Sequence, residues 1–230
     1  MIDPRTSIFP RRILLSIVLT LLLWPALIHP VYPPEADLDA SWQAVLVRAH
    51  AQGWQFGREL VFTWGPWGFL QSQYQLGDEA ATAKLIWEVA GKLLVALGVV
   101  ALTHRLAAWR QILFCALVFA YSWLFLDSIY LVLIALSVLG ALLRPTTPRW
   151  QLILWIGALA FLGQMKFTYN LLAFGGVFCA AGADALRRDF RRATGLLGGY
   201  ALAFVAFWVA AGQNPDNLLP YFRLSWDISQ

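Results

Sequence analysis

The sequence predicts an all-α, polytopic membrane protein with about seven transmembrane helices and one interfacial helix. Three observations predict it. Of 230 residues, 60% are hydrophobic and only 13% charged, about half the charged share of a typical soluble domain. The mean hydropathy is +0.62. The apolar residues fall in blocks of about 17–22, the length that carries a helix across roughly 30 Å of hydrocarbon. Because the basic residues sit between these blocks, the net charge of +4 reads as topology information and not as a footprint for nucleic acid.

The chain reads as a single transmembrane domain over residues 1–230. Its first block, RRILLSIVLTLLLWPALIHP, has the basic front and apolar middle of a signal peptide. Trp24 and Pro25 stand where a small-residue cleavage site belongs, so an uncleaved span over 12–29 is expected. A polar and aromatic loop covers residues 30–82. Further spans are expected at about 84–104, 110–126, 128–143, 150–165, 170–186 and 193–212, with residues 213–230 as an outer tail.

Lysine and arginine set the orientation. With a cytoplasmic N-terminus, the inner segments hold Arg5, Arg11, Arg12, Arg105, Arg110, Arg144, Arg149, Arg187, Arg188, Arg191 and Arg192, eleven of the seventeen basic residues. Asp37, Asp39, Glu59, Asp78, Glu79, Asp127, Asp216 and Asp227 then fall outside. The alternation places residues 30–82 on the extracytoplasmic face.

That loop is too long to be a plain connection. Leu38, Trp42, Val45, Leu46 and Ala49 recur at helical spacing, Arg48, His50 and Gln52 take the other face, and Gly53 ends the run. An amphipathic helix over 38–53, lying on the membrane surface, is expected. The following TWGPWGFL, with Trp64, Trp67 and Phe69 around a Gly-Pro turn, would keep the chain at the interface.

Asp37 and Asp39 lead the candidate site residues. Two neighbouring carboxylates can hold a divalent cation, or one can act as a base while the other orients it. Equally, aspartate is a preferred N-cap, and a cap accounts for one of the two. The D-x-D after the first span resembles the GT-C superfamily of membrane glycosyltransferases. The fuller pattern D-x-S-W, F-G-R-E and F-T-W-G-P-x-G-F-L is similar to bacterial GT-C-like proteins over Asp39 to Leu70. The rest of the chain matches only in topology and loop length.

The resemblance implies a fold of about seven helices with a cytoplasmic N-terminus. It also implies sugar transfer from a polyprenyl-phosphate carrier to an acceptor on the extracytoplasmic face. The first-loop acid, Asp37 or Asp39, would be catalytic base or metal ligand, with magnesium or manganese as the candidate cofactor. A second acid at an outer turn would be Asp127. Such proteins usually carry more helices, often with an extracytoplasmic domain, whereas this sequence ends at SWDISQ, as a truncated or shortened chain would.

Other candidates come from charge placement. Lys166 in GQMKFTYN is a lone outer lysine, suited either to a lipid phosphate or to headgroup snorkelling. Glu88 and Lys92 lie at i and i+4 within the second span, as a self-neutralising pair or as substrate ligands. Arg58, beside Glu59, is a weaker phosphate candidate, and Arg223 weaker still. His29, His50 and His104 are scattered, without metal spacing. Cys115 and Cys179 lie in apolar blocks and read as small packing residues. Gly195 and Gly199 form a GxxxG that reads as helix packing.

Two functions are therefore expected from different classes. One is a membrane glycosyltransferase. The other is a non-catalytic polytopic protein: transporter-like, lipid-handling, or a partial GT-C chain acting as a partner subunit. The lipid bilayer is a partner in both, and the oligomeric state is not read from the sequence.

Overall fold

The computed structural model describes residues 8–29, 32–33, 37–74, 80–124, 127–143 and 148–230. Arg5, Asp78, Glu79 and Arg144, named above, lie outside the described residues. The described chain is all-helical: α1 (Ile8–Leu27), α2 (Leu38–Ala51), α3 (Ala81–Ile86), α4 (Lys92–Thr103), α5 (Ala108–Leu124), α6 (Ser128–Leu143), α7 (Arg149–Gly163), α8 (Phe167–Leu186), α9 (Phe190–Ala210) and α10 (Leu218–Ile228). A π-helical turn over Trp87–Gly91 joins α3 to α4, making one rod of Ala81–Thr103.

Among the described residues, three helices are long and apolar enough to cross a membrane: Ala81–Thr103, Phe167–Leu186 and Phe190–Ala210. The apolar helices α5, α6 and α7 have 17, 16 and 15 residues. At 1.5 Å per residue their described parts rise roughly 22–25 Å. The molecule is thus a helical membrane protein with, among the described residues, three full-length candidate spans and these shorter apolar helices.

The chain divides into two compact units. The first comprises residues 1–29 and 85–136. Within it α1 packs along α4 and α5, with Leu19, Val100 and Cys115 buried together and Leu15 against them. The Arg12 guanidinium donates to the carbonyls of His104 (3.2 Å) and Leu106 (2.7 Å), satisfying acceptors past the end of α4. The π turn displaces the ladder locally, and the Trp24 indole N–H donates to the Val89 carbonyl there, at 2.9 Å.

The second unit comprises residues 30–84 and 137–230. Helices α7, α8 and α9 pack against one another around buried Trp208, Tyr169 and Phe204. Two polar contacts tie them together: Tyr200 donates its hydroxyl to Asn170 Oδ1 at 2.8 Å, and Gln164 its amide to the Phe204 carbonyl at 2.8 Å. Asp184, absent from the sequence reading, is buried, forms an ion pair with Arg192 at 3.1 Å and accepts from Arg187 at 3.4 Å, closing the α8–α9 turn. The Gly195–Gly199 motif is used at one position only. A Cβ on Gly199 would meet Ile156 at 3.4 Å, whereas nothing lies within 4 Å of one on Gly195.

Helix α2 begins and ends as its residues dictate. Asp37 takes extended backbone angles and its carboxylate accepts the Ala40 N–H at 2.6 Å, an N-cap. Gly53, at φ +67°, ends it. The face it buries differs from expectation. Ala40, Ala44 and Val47 are buried with Leu46 and Ala49, while Leu38 and Val45 are exposed. Small alanine side chains let the helix seat closely against its own unit on that side, leaving Leu38 and Val45 on the open side.

The loop that follows is fastened to the rest of the second unit by backbone. Thr63 and Gly65 pair with the α7–α8 turn: the Phe167 N–H donates to Thr63 at 2.7 Å and the Gly65 N–H to Met165 at 3.0 Å. Gln213 accepts the Phe56 N–H at 2.8 Å and donates to the Trp54 carbonyl at 3.0 Å. Ser225 of α10 donates to the Phe62 carbonyl at 2.9 Å. Gly57, at φ +82°, lets the Tyr221 backbone come close: a Cβ there would stand 2.6 Å from the Tyr221 nitrogen.

Candidate functional site

The pairing of Trp64 with Lys166 across the loop and the α7–α8 turn assembles the site. The Lys166 ammonium sits 4.6 Å from the Trp64 ring centroid and 5.9 Å from that of Tyr169, within cation–π range. Trp64, only 7% exposed, also carries Trp42 stacked at 4.9 Å. The Trp42 indole N–H in turn donates to Asp39 Oδ1 at 2.9 Å. A carboxylate and an ammonium from distant parts of the sequence thus share one pair of tryptophans.

Lys166 is also the N-cap residue of α8. A cation at the positive end of a 20-residue helix dipole is unfavourable in itself, and an anion bound there offsets both charges. Asp39 is exposed in the first turn of α2. The two acids of D-x-D therefore separate: Asp37 caps the helix, and Asp39 faces its tryptophan.

The other predicted residues lie elsewhere. Arg58 is exposed, and the neighbouring Glu59 carboxylate accepts the Gln55 N–H at 2.7 Å. Asp127, Glu88 and Lys92 belong to the first unit, not to that of Asp39 and Lys166. There Lys92 is buried, 3.8 Å from Glu88 Oε1 and 5.3 Å from the Tyr130 ring centroid, while Glu88 Oε2 accepts the His29 backbone N–H at 2.9 Å. That arrangement is a neutralised internal pair. Arg223 is exposed on α10.

Sequence reasoning missed Lys84. It is 2% exposed and donates to Ser72 Oγ at 3.1 Å. The signal was present, since Lys84 breaks the charge pattern as Lys166 does, yet it sits where loop and span meet.

Among the described residues no group of three or more His, Cys, Asp or Glu gathers to hold a metal ion. Asp37 is engaged at the helix terminus and Asp39 at Trp42, so among the described residues these two do not converge as a magnesium or manganese ligand pair.

His50 stacks on Phe69 with ring centroids 3.7 Å apart, and burial holds its pKa below the ordinary 6.5. The folded chain then binds fewer protons than the unfolded one below that value. Stability is expected to be full above pH 6.5 and to fall as the pH drops from there towards the folded pKa. Melting curves in detergent across that interval should show the decline, and His50→Phe should lose part of it. An unchanged slope would show that His50 is not the group responsible.

No protein-family model matches the chain, and no curated protein or solved structure is similar to it.

Proposed function

We propose that the chain is the helical module of a membrane glycosyltransferase. It moves a sugar from a polyprenyl-phosphate carrier to an acceptor hydroxyl on the extracytoplasmic face of a bacterial inner membrane. In this reading the shorter apolar helices complete a set of seven spans with the N-terminus inside, as the distribution of arginines favours.

One observation carries the reading: a carboxylate and an ammonium at the N-terminus of a helix share the Trp42–Trp64 pair. Lys166 and the positive end of α8 hold the carrier phosphate. Asp39 accepts the proton of the acceptor hydroxyl as its oxygen attacks the anomeric carbon. The bond from that carbon to the phosphate oxygen breaks, and its electron pair stays on the phosphate, where the lysine stabilises it. Trp42 holds the carboxylate in place, and the aromatic faces pack against the sugar. A non-catalytic, lipid-handling chain is the second reading, favoured by the Asp39 carboxylate already having a donor in Trp42.

The phosphate assignment is tested by binding. Purified chain in detergent should bind undecaprenyl phosphate, and Lys166→Gln should weaken it at least about tenfold, the loss of one charge-assisted contact. Equal affinity in the two proteins would remove Lys166 from the site. Binding without transfer of any carrier-linked sugar would favour the lipid-handling reading.

A further inference from the structure

We infer that α10 lies in the phospholipid headgroup layer, with Leu219, Phe222 and Trp226 among the acyl chains and Arg223 on the lipid phosphates. The inference does not depend on sugar transfer. It assigns to α10 the surface role that the sequence predicts for α2.

The helix has two unlike sides. Tyr221 and Ser225, one turn apart, are buried against the loop at Gly57 and Phe62. Away from them, Leu219 is 77% and Trp226 50% exposed, with half-buried Phe222 between them. Positions i, i+3 and i+7 make these one stripe. Arg223 and Asp227, both exposed, run along its edge. An apolar stripe with tryptophan, bordered by charge, is the pattern of a helix at a membrane interface.

Length and connection favour lipid over a protein partner. The 11 residues of α10 rise only about 16 Å, half of the hydrocarbon layer, so the helix does not cross. It follows α9, one of the three full-length candidate spans, after a turn through Gly212 at φ +75° and the Pro215–Asn217 segment. A chain leaving a span and turning within so few residues stays at headgroup depth. The rings of Phe222 and Trp226 also meet Phe167, the residue after Lys166, at 6.4 and 6.5 Å. Helix α10 therefore connects the leaflet to the turn that carries the lysine.

The test uses the full chain with Cys115 and Cys179 replaced by serine, in vesicles of phosphatidylethanolamine and phosphatidylglycerol. Nitroxides are attached to single Leu219→Cys and Asp227→Cys variants. The label at 219 should collide with oxygen and be shielded from a water-soluble nickel chelate, and the label at 227 should show the reverse. As a check that leaves the helix intact, the emission lost in Trp226→Phe should be the part quenched by lipids brominated near the headgroup. Nickel access at both positions would put the helix in water and overturn the inference. Shielding of 219 from both reagents would also overturn it, since another protein surface would then cover the stripe.

Discussion

Asp39→Asn is expected to lower sugar transfer at least ~100-fold, the lower range for losing a general base. Asp37→Asn should leave it close to wild type. The contrast follows from what each carboxylate does. Asp37 accepts the Ala40 N–H, and asparagine caps a helix about as well. The Asp39 carboxylate accepts a side-chain indole and no backbone N–H of the helix terminus among the described residues, so its replacement removes charge and basicity while that terminus stays intact. Asp37→Ala completes the set: it should cost roughly 1 kcal/mol of stability through the lost cap, with transfer per folded molecule preserved. The assay is transfer from a polyprenyl-phosphate sugar by the purified chain, with melting followed in parallel. Equal loss in Asp37→Asn and Asp39→Asn would mean the two acids act as a unit. Wild-type transfer in Asp39→Asn would end the base assignment.

Gly65→Ala is the substitution with the largest expected structural effect. A Cβ at this position would stand 2.1 Å from the Gln164 carbonyl oxygen and 2.9 Å from its carbon. Both are backbone atoms and neither can rotate away, so one of the two segments must move. The movement breaks the Gly65–Met165 and Phe167–Thr63 hydrogen bonds and withdraws Trp64 from Lys166. A cost of about 3 kcal/mol or more is expected, at the upper end for overpacking, together with loss of carrier binding. Gly157→Ala in α7 is the control. Nothing lies within 4 Å of its added Cβ, and alanine favours a helix interior by about 1 kcal/mol over glycine. Unfolding in mixed micelles measures both. A Gly65→Ala protein as stable as wild type would show that the loop is not held by this approach.

The sequence carried the helices because length and apolarity are local properties. An expected span of 128–143 is the helix Ser128–Leu143, and 84–104 is the rod Ala81–Thr103. Start and stop of α2 were also legible, from the cap at Asp37 and the glycine at 53. Its buried face was not. Alanine carries little hydrophobic signal, so Ala40 and Ala44 gave no indication that close docking would choose their side over that of Leu38 and Val45. Residues 213–230 read as a tail, because no span-length apolar block marks an 11-residue surface helix such as α10. In the site, charge placement singled out Asp39 and Lys166. Their common partners stayed hidden, since backbone pairing between Trp64 and Lys166 follows from no periodicity in either segment.

The fastening of residues 54–67 has a consequence for biosynthesis. Besides short-range ties back to Ala49 and Trp42, that segment is held from further along the chain, by Gln164 and Met165, by Gln213 and by Ser225. On a ribosome adding ~5–20 residues per second, the last of these partners appears on the order of ten seconds after the loop has been made. Until then the three tryptophans of that segment lack their partners Gln213, Lys166 and Phe207 from the later part of the chain. The Trp64–Lys166 contact can close only once the turn after α7 has been made, so a ribosome stalled at the end of α7 would leave an inserted chain with no assembled site.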